Sequence, residues 1–452
     1  MLFDINYNNL IIIYVFKNTK FKSFYYKFST FNNAFIIYCW KFDIKFKCRL
    51  IFNIFFFLWK PNFFDFKFSY LDKLIFLFFL YIFLNGFVNN YFNFTPEKND
   101  EKNLIFLKAI GYLRFLILYL TIRYLVNFNI IRFKYLFLTF GLSALFVSLD
   151  IIYQFFFRID FFGFEAPSTD RRLAGPFGDE WIAGSFIQRF YIFIIFYILI
   201  FIKQKKEWQL NLFFLIILLL VSLGVLMSGN RIPTVIYFLS ILLIIIFEKS
   251  LRKKLMVLII IFLSSLYFLG QKNEVIKVHY SSFITKSIDI FNYYKNKYDF
   301  SSENELKIPN SYIKEFETGI LTWKENKIFG SGIKSFYYSC KKIEFKIKNL
   351  GLCSPHPHNY YIQFAAELGL VGLLLSILIF FFIIFEAFKI FFFKEKFSDI
   401  KLLLPFFIIF IVEIFPFKTT GSFFTTTNST FIFILISFIV GLIYRKKIIS
   451  NE

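Results

Sequence analysis

Histidine is almost missing from this 452-residue chain, which has three, and cysteine is close behind with four. Four cysteines are too few for a disulfide framework. No P-loop, Rossmann fingerprint or HExxH pattern occurs, so the common phosphate-cradling, dinucleotide and zinc-protease motifs are excluded. Acidic side chains are also short: 30 Asp and Glu stand against 52 Lys and Arg.

What the chain has instead is apolar length. Hydrophobic residues make up 58% and aromatic residues 24%. Repeated runs reach the roughly 20 residues that cross about 30 Å of hydrocarbon. The chain therefore reads as an all-α polytopic membrane protein. The 76 phenylalanines, with abundant Ile, Lys, Asn and Tyr, also fit A/T-rich codon usage, so no single Phe is given a functional meaning. The net charge of +22 fits basic cytoplasmic loops under the positive-inside rule, and no nucleic-acid partner is expected. No cleavable signal peptide is evident, and a first spanning helix can target such a chain.

Spans are read at 70–90, 104–126, 133–154, 186–203, 209–228, 232–248, 254–270, 360–388, 402–416 and 424–444. Basic clusters punctuate them: Lys203, Lys205 and Lys206; Lys249, Arg252, Lys253 and Lys254; Lys389, Lys394 and Lys396; Arg445, Lys446 and Lys447. If these are cytoplasmic, every intervening span alternates correctly. Residues 1–69 hold short apolar runs that supply one or two more spans or surface helices, for a total of ten to twelve. The domain reading is thus 1–69, poorly defined; 70–270, a transmembrane bundle with an outer loop at 155–185; 271–359, a long outer loop domain; and 360–452, C-terminal spans and a cytoplasmic tail. A structureless loop as long as 271–359 is uncommon, so it is expected to be mostly helical with a functional surface.

Three polar motifs fall on that one outer face. The first, "DRRLAGPFGDEWIAGS", sets Arg171 and Arg172 before Gly175, Gly178 and Gly184. Guanidinium groups bind phosphate oxygens through paired hydrogen bonds; a membrane-edge loop touching lipid headgroups is the competing reading. The second, "LMSGNRIPT", carries Arg231, the sole charge between Glu207 and Glu248. An outer-face turn has no positive-inside reason to hold an arginine, which favours function, although snorkelling anchors are common.

The third, "CSPHPHNYYIQFAAELGLVG", holds two of the three histidines. Pro355 and Pro357 force an extended approach, and a helix is expected from near His358 or Asn359. Free N–H groups and nearby arginines disfavour an imidazolium there, leaving His358 neutral, as a general base requires. Glu367 lies about half a rotation from His358, so it is expected to pair with a neighbouring helix rather than orient the imidazole. Gly369 and Gly372 would permit close helix packing. Cys340, Cys353, His356 and His358 could ligate zinc, but their spacing does not match the common fingers. A Cys340–Cys353 disulfide on the oxidising side is the alternative. His279 reads as solvated surface and His356 is left unassigned. Acidic pairs of the DxD type, which would hold a metal for a nucleotide-sugar donor, are absent from the outer segments. The inferred site is cationic with one neutral base, and no metal or cofactor is expected.

These residues resemble the bacterial O-antigen ligase and O-antigen polymerase superfamily. "HNYYIQFAAELGLVG" is similar to its H-N-x7-E-x-G-x-x-G signature and "RLAGPFG" to its R-x-x-G-x-F motif. "SGNRIP" stands in the place of the S-R motif but carries Gly229 and Asn230 between Ser228 and Arg231. "TWKENKIFGSGIKSF", 322–336, is similar to the segment preceding the histidine. The resemblance covers about residues 70 to 444. It implies a GT-C-like fold and a metal-independent, inverting glycosyl transfer at the periplasmic face of the inner membrane. The donor would be a glycan on undecaprenyl diphosphate. The acceptor would be a lipid A core hydroxyl (ligase) or another lipid-linked glycan (polymerase). Carried onto this chain, Arg172 and Arg231 bind the diphosphate, Arg171 substitutes for its neighbour, and His358 takes the hydroxyl proton. Asn359, Tyr360 and Tyr361 stand beside it as substrate contacts. A transporter or flippase of lipid-linked sugars is the other class considered, but transporters place ionisable groups near the bilayer midplane.

Overall fold

The computed structural model describes residues 67–92, 99–167, 172–202, 207–272, 274–297, 311–344, 353–393 and 399–445. Arg171, residues 1–66, and the basic positions Lys203, Lys205, Lys206, Lys394, Lys396, Lys446 and Lys447 lie outside them, as does the side chain of His279. Among the described residues the secondary structure is helical, with one isolated β-bridge between Ile159 and Glu165. The helices are α1 Tyr70–Tyr91, α2 Asn99–Tyr112, α3 Arg114–Asn127, α4 Phe133–Phe157, α5 Ala183–Phe201, α6 Glu207–Met227 and α7 Arg231–Phe247. They continue as α8 Arg252–Lys272, α9 Glu274–Lys297, α10 Ser311–Glu325, α11 Phe336–Glu344, α12 Tyr360–Phe393, α13 Ile400–Glu413 and α14 Thr426–Ile443.

Each of the ten segments read as apolar spans overlaps a helix, although the helix at 402–416 ends at Glu413. Six helices, counting α2–α3 together as Lys102–Asn127, are long and apolar enough to cross a membrane. The α7 segment and Lys249–Ser265 pass the same test only together, at a bend of 113°. The protein is an all-α polytopic membrane protein. The expected helical character of the long loop holds over its described parts, which form α9, α10 and α11.

The helices group into two units that are not consecutive along the chain. One takes Asn129–Ile284 and Ser398–Val412. In it α4 is a hub, because small residues let neighbouring backbones close in. A β-carbon on Gly141 would lie 2.7 Å from the backbone nitrogen of Ile194, and one on Gly224 would lie 2.7 Å from Cβ of Ser148. Phe137, Phe193 and Phe406 pack edge-on or tilted beside this crossing. Buried hydroxyls are satisfied between helices: Tyr191 with Ser240 at 2.6 Å and Ser222 with Tyr237 at 2.7 Å.

The other unit takes Thr285–Phe397, Glu413 onward, and the described residues before Asn129. Its α1 starts with a capping box, Ser69 and Asp72 bonding each other's backbone N–H. Asp72 is fully buried and also receives the Tyr119 hydroxyl and, at 3.5 Å, the Arg123 guanidinium. Gly441 of α14 meets Val126 of α3, and Tyr112 bonds Ser429 at 2.9 Å.

Candidate active site

In the first unit, the loop bearing Arg172 and the turn bearing Arg231 are tied together. The backbone N–H of Leu173 donates to the carbonyl of Ser228 at 3.1 Å. Gly184, at the start of α5, lies so close to that turn that a β-carbon would meet Ser228 Oγ and sit 2.8 Å from Cβ of Asn230. Gly175 donates its N–H to Gln154 Oε1 at 2.9 Å, which anchors the loop to α4. Arg172 is exposed, its guanidinium 5.7 Å from the centroid of the Trp181 ring. Arg231 is half-buried and opens α7. The inserted Gly229 and Asn230 complete the turn, Asn230 donating to Ser228. Two arginines 59 residues apart in sequence thus stand on one braced platform.

His358 belongs to the second unit. It stands just before α12, with φ of 51°, a left-handed backbone that few non-glycine residues adopt. That conformation is held from the α13–α14 loop, where Thr420 N–H donates to the His358 carbonyl at 2.9 Å. The helix starts two residues later than His358, and Asn359 is its cap: Oδ1 accepts from the N–H of Tyr361 at 2.9 Å and of Ile362 at 3.2 Å. The imidazole packs against His356, ring centroids 4.2 Å apart, and edge-on to Tyr312 at 6.5 Å. Nε2 lies 3.6 Å from Glu315 Oε1. Burial lowers the His358 pKa from its usual value. Burial, reinforced by His358, pushes His356 down to about 4. The expected neutrality of His358 therefore comes chiefly from desolvation rather than from the helix terminus.

Asn359, Tyr360 and Tyr361 spend their polar groups on the protein. Asn359 Nδ2 donates to the Pro416 carbonyl at 2.7 Å, and the Tyr361 hydroxyl to Ile414 at 2.6 Å. Tyr360 is buried, with its hydroxyl 3.4 Å from Glu413, a carboxylate that also pairs with Lys418 at 2.8 Å. They fix the histidine segment to residues 413–420.

Glu367 also finds a backbone partner rather than a helix. Oε2 accepts from the N–H of Lys334 at 2.6 Å, and Oε1 from Gln363 Nε2 at 3.1 Å. Two residues on, Gly369 breaks α12 with φ of 66°. The groups freed by the break are taken by the segment 327–332: Leu370 N–H to Lys327, Val371 N–H to Ile328, Gly332 N–H to Glu367. Gly369 therefore serves a backbone-to-backbone approach, not helix packing, since a β-carbon would strike the Ile328 carbonyl. Gly372 does face a helix: a β-carbon there would lie 3.1 Å from the Tyr81 ring of α1. Cys340 and Cys353 are joined by a disulfide, Cα–Cα 5.6 Å, which consumes the thiolates a zinc site would need.

Glu315, Gly319 and the loop 414–425 escaped the reading of motifs. A carboxylate in an amphipathic helix gives no signal until its partner is placed. Gln363 was visible only as a helix-face neighbour of Glu367, yet it also bridges to Ser422 Oγ at 2.7 Å and Phe423 N–H at 2.8 Å.

Residues 216–377 match the model of a family described as O-antigen ligase. The matched segment contains Arg231, the 322–336 stretch and the whole His358–Gly372 signature, while the Arg172 loop precedes it. No curated protein matches the chain. The segment bearing Arg231 and His358 thus supports the O-antigen ligase and polymerase superfamily, which implies a glycosyltransferase-type membrane enzyme.

Proposed function

We propose that this chain transfers a glycan from undecaprenyl diphosphate to a sugar hydroxyl of the lipid A core, at the periplasmic face of the inner membrane. The transfer inverts the anomeric centre and uses no metal. The observation that carries this reading is the state of His358. It is a neutral, half-buried imidazole on a clamped segment, inside the stretch that matches the O-antigen ligase family.

In this reading His358 accepts the proton of the acceptor hydroxyl, whose oxygen forms the new bond to the anomeric carbon. The bond from that carbon to the diphosphate oxygen breaks, and its electron pair leaves on the diphosphate. Arg172 and Arg231 receive that growing charge, since guanidinium pairs stabilise phosphate oxygens most as they become more negative. The braced Leu173–Ser228 junction supports a shared role for them.

The test is transfer by His358→Ala, Arg231→Ala and Arg172→Ala proteins that insert normally. Each is expected to abolish transfer, and wild-type-like transfer by the histidine variant would remove the base assignment. Transfer is expected to persist in EDTA. A deletion strain separates the ligase from the polymerase: polymer-free core with accumulating lipid-linked chains indicates the ligase, whereas core bearing a single repeat indicates the polymerase.

A further inference from the structure

One buried carboxylate has no role in the transfer as described. Glu315 sits on α10, and its side chain is only 10% exposed. Its Oε2 is buried without a hydrogen-bond partner, and its Oε1 faces His358 Nε2 at 3.6 Å. A buried carboxylate lacking compensation is costly, so a helix that presents one needs a reason.

The approach of α10 to the histidine segment is specific. Gly319 lies one turn after Glu315, on the same face of α10. A β-carbon there would collide with Ile362 and lie 3.0 Å from Cβ of Pro357. Backbone contact at Gly319 therefore seats α10 directly across Pro357–Ile362 and brings Glu315 to the imidazole.

We propose that Glu315 is the positioning residue of His358: its carboxylate accepts the Nε2–H and so leaves Nδ1 as the atom that takes the acceptor's proton. This rests on the base assignment above. A fixed hydrogen bond on one ring nitrogen selects the tautomer, and a carboxylate beside it stabilises the imidazolium formed during transfer. The 3.6 Å separation is longer than a formed hydrogen bond, and such contacts commonly tighten when substrate binds. Burial pushes the Glu315 carboxyl up to about 7, which leaves it about half ionised at neutral pH, and a positive ring alongside favours its charged form. The acceptor proton ends on Nδ1. The Nε2 proton remains in the His–Glu bond, and no other group changes state.

The experiment compares Glu315→Leu, Glu315→Gln and His358→Ala in the full chain. Membrane-extracted undecaprenyl-diphosphate-linked glycan serves as donor and purified lipid A core as acceptor. Loss of positioning is expected to lower kcat about 100-fold in the leucine variant, with both KM values unchanged, because proper base placement contributes on that order. Glutamine keeps an accepting oxygen but not the charge, so about a tenfold loss is expected. A leucine variant with kcat near wild type, alongside a dead His358→Ala, would overturn this inference and leave the base assignment standing. Should the leucine variant fail to insert, the glutamine variant decides, and an undiminished kcat there overturns the inference. A KM rise at constant kcat would assign Glu315 to binding and overturn it too. Full transfer by His358→Ala would instead bring down the base assignment, and the Glu315 role with it.

Discussion

The carboxylate of Glu367 in α12 accepts a hydrogen bond from the backbone N–H of Lys334 at 2.6 Å, across 33 residues of sequence. That bond fastens the 327–336 segment onto a helix that Gly369 breaks two residues later. Replacing Glu367 by Leu leaves the half-buried Lys334 N–H without its carboxylate partner, at a cost of about 1–2 kcal/mol. Amide hydrogen exchange should quicken across 327–336, while Glu367→Gln, which still accepts, should protect those amides nearly as well as the wild type. Equal exchange in the leucine variant would contradict the fastening.

Gly369 and Gly372 should differ. At Gly369 an added methyl meets the Ile328 carbonyl and a backbone φ of 66° that side chains resist, so Gly369→Ala should lose several kcal/mol or fail to accumulate. At Gly372 an added methyl would strike Cβ of Leu368, which moves only with its backbone, and would lie 3.1 Å from the Tyr81 ring. Gly372→Ala should lose stability too, but less than Gly369→Ala, because its backbone lacks the positive φ. Thermal unfolding in detergent reads both, and the reverse order would refute this assignment.

The Cys340–Cys353 bond ties α11 to the approach of the histidine segment. Closing a loop of this length is worth about 3 kcal/mol in the chain-entropy model. Reduction, or a paired serine replacement, should therefore lower the melting temperature and speed exchange over 336–344 and 353–359. A thermal curve unmoved by reductant would show that the bond contributes little.

Arg172 and Arg231 stand on one braced junction, so lysine in either place keeps charge but loses paired hydrogen bonding. Alanine in either place is expected to abolish transfer, and the lysine variants should recover only part of it. The comparison is kcat for alanine and lysine variants of equal membrane yield. Full activity in both alanine variants would assign these arginines to lipid headgroups.

His358 is held below its usual value of 6.5 by burial, so the base form persists as the medium turns acid. Protonation below that lowered pKa removes the base. In the Glu315→Gln variant, which lacks the neighbouring carboxyl that burial lifts to about 7, the acid limb of kcat/KM, followed from about pH 5 to about pH 8, should therefore have its midpoint below 6.5. A limb rising above 6.5 would mean that an ion pair, not burial, dominates the imidazole.

The membrane class and the positions of the apolar helices were legible residue by residue, because hydropathy and helix length act locally along the chain. Among the described residues, however, six of those helices, not ten, are by themselves long and apolar enough to cross a membrane. The signature also announced His358, Glu367 and Gly369 as unusual, since each breaks the local apolar pattern. Their duties were less visible. Asn359 reads as a substrate contact, and only the structure shows its side chain capping α12 and donating to the Pro416 carbonyl.

What the sequence determined by itself is therefore the helical membrane scaffold, its break points and its few polar residues. Tertiary structure alone decided the pairings. Glu315 meets His358, Glu367 meets Lys334, and Leu173 meets Ser228. Such pairings depend on the rotation and docking of separate helices. The free energy of those contacts comes from many apolar neighbours at once, and no local pattern encodes which polar atom the packing will bring opposite another.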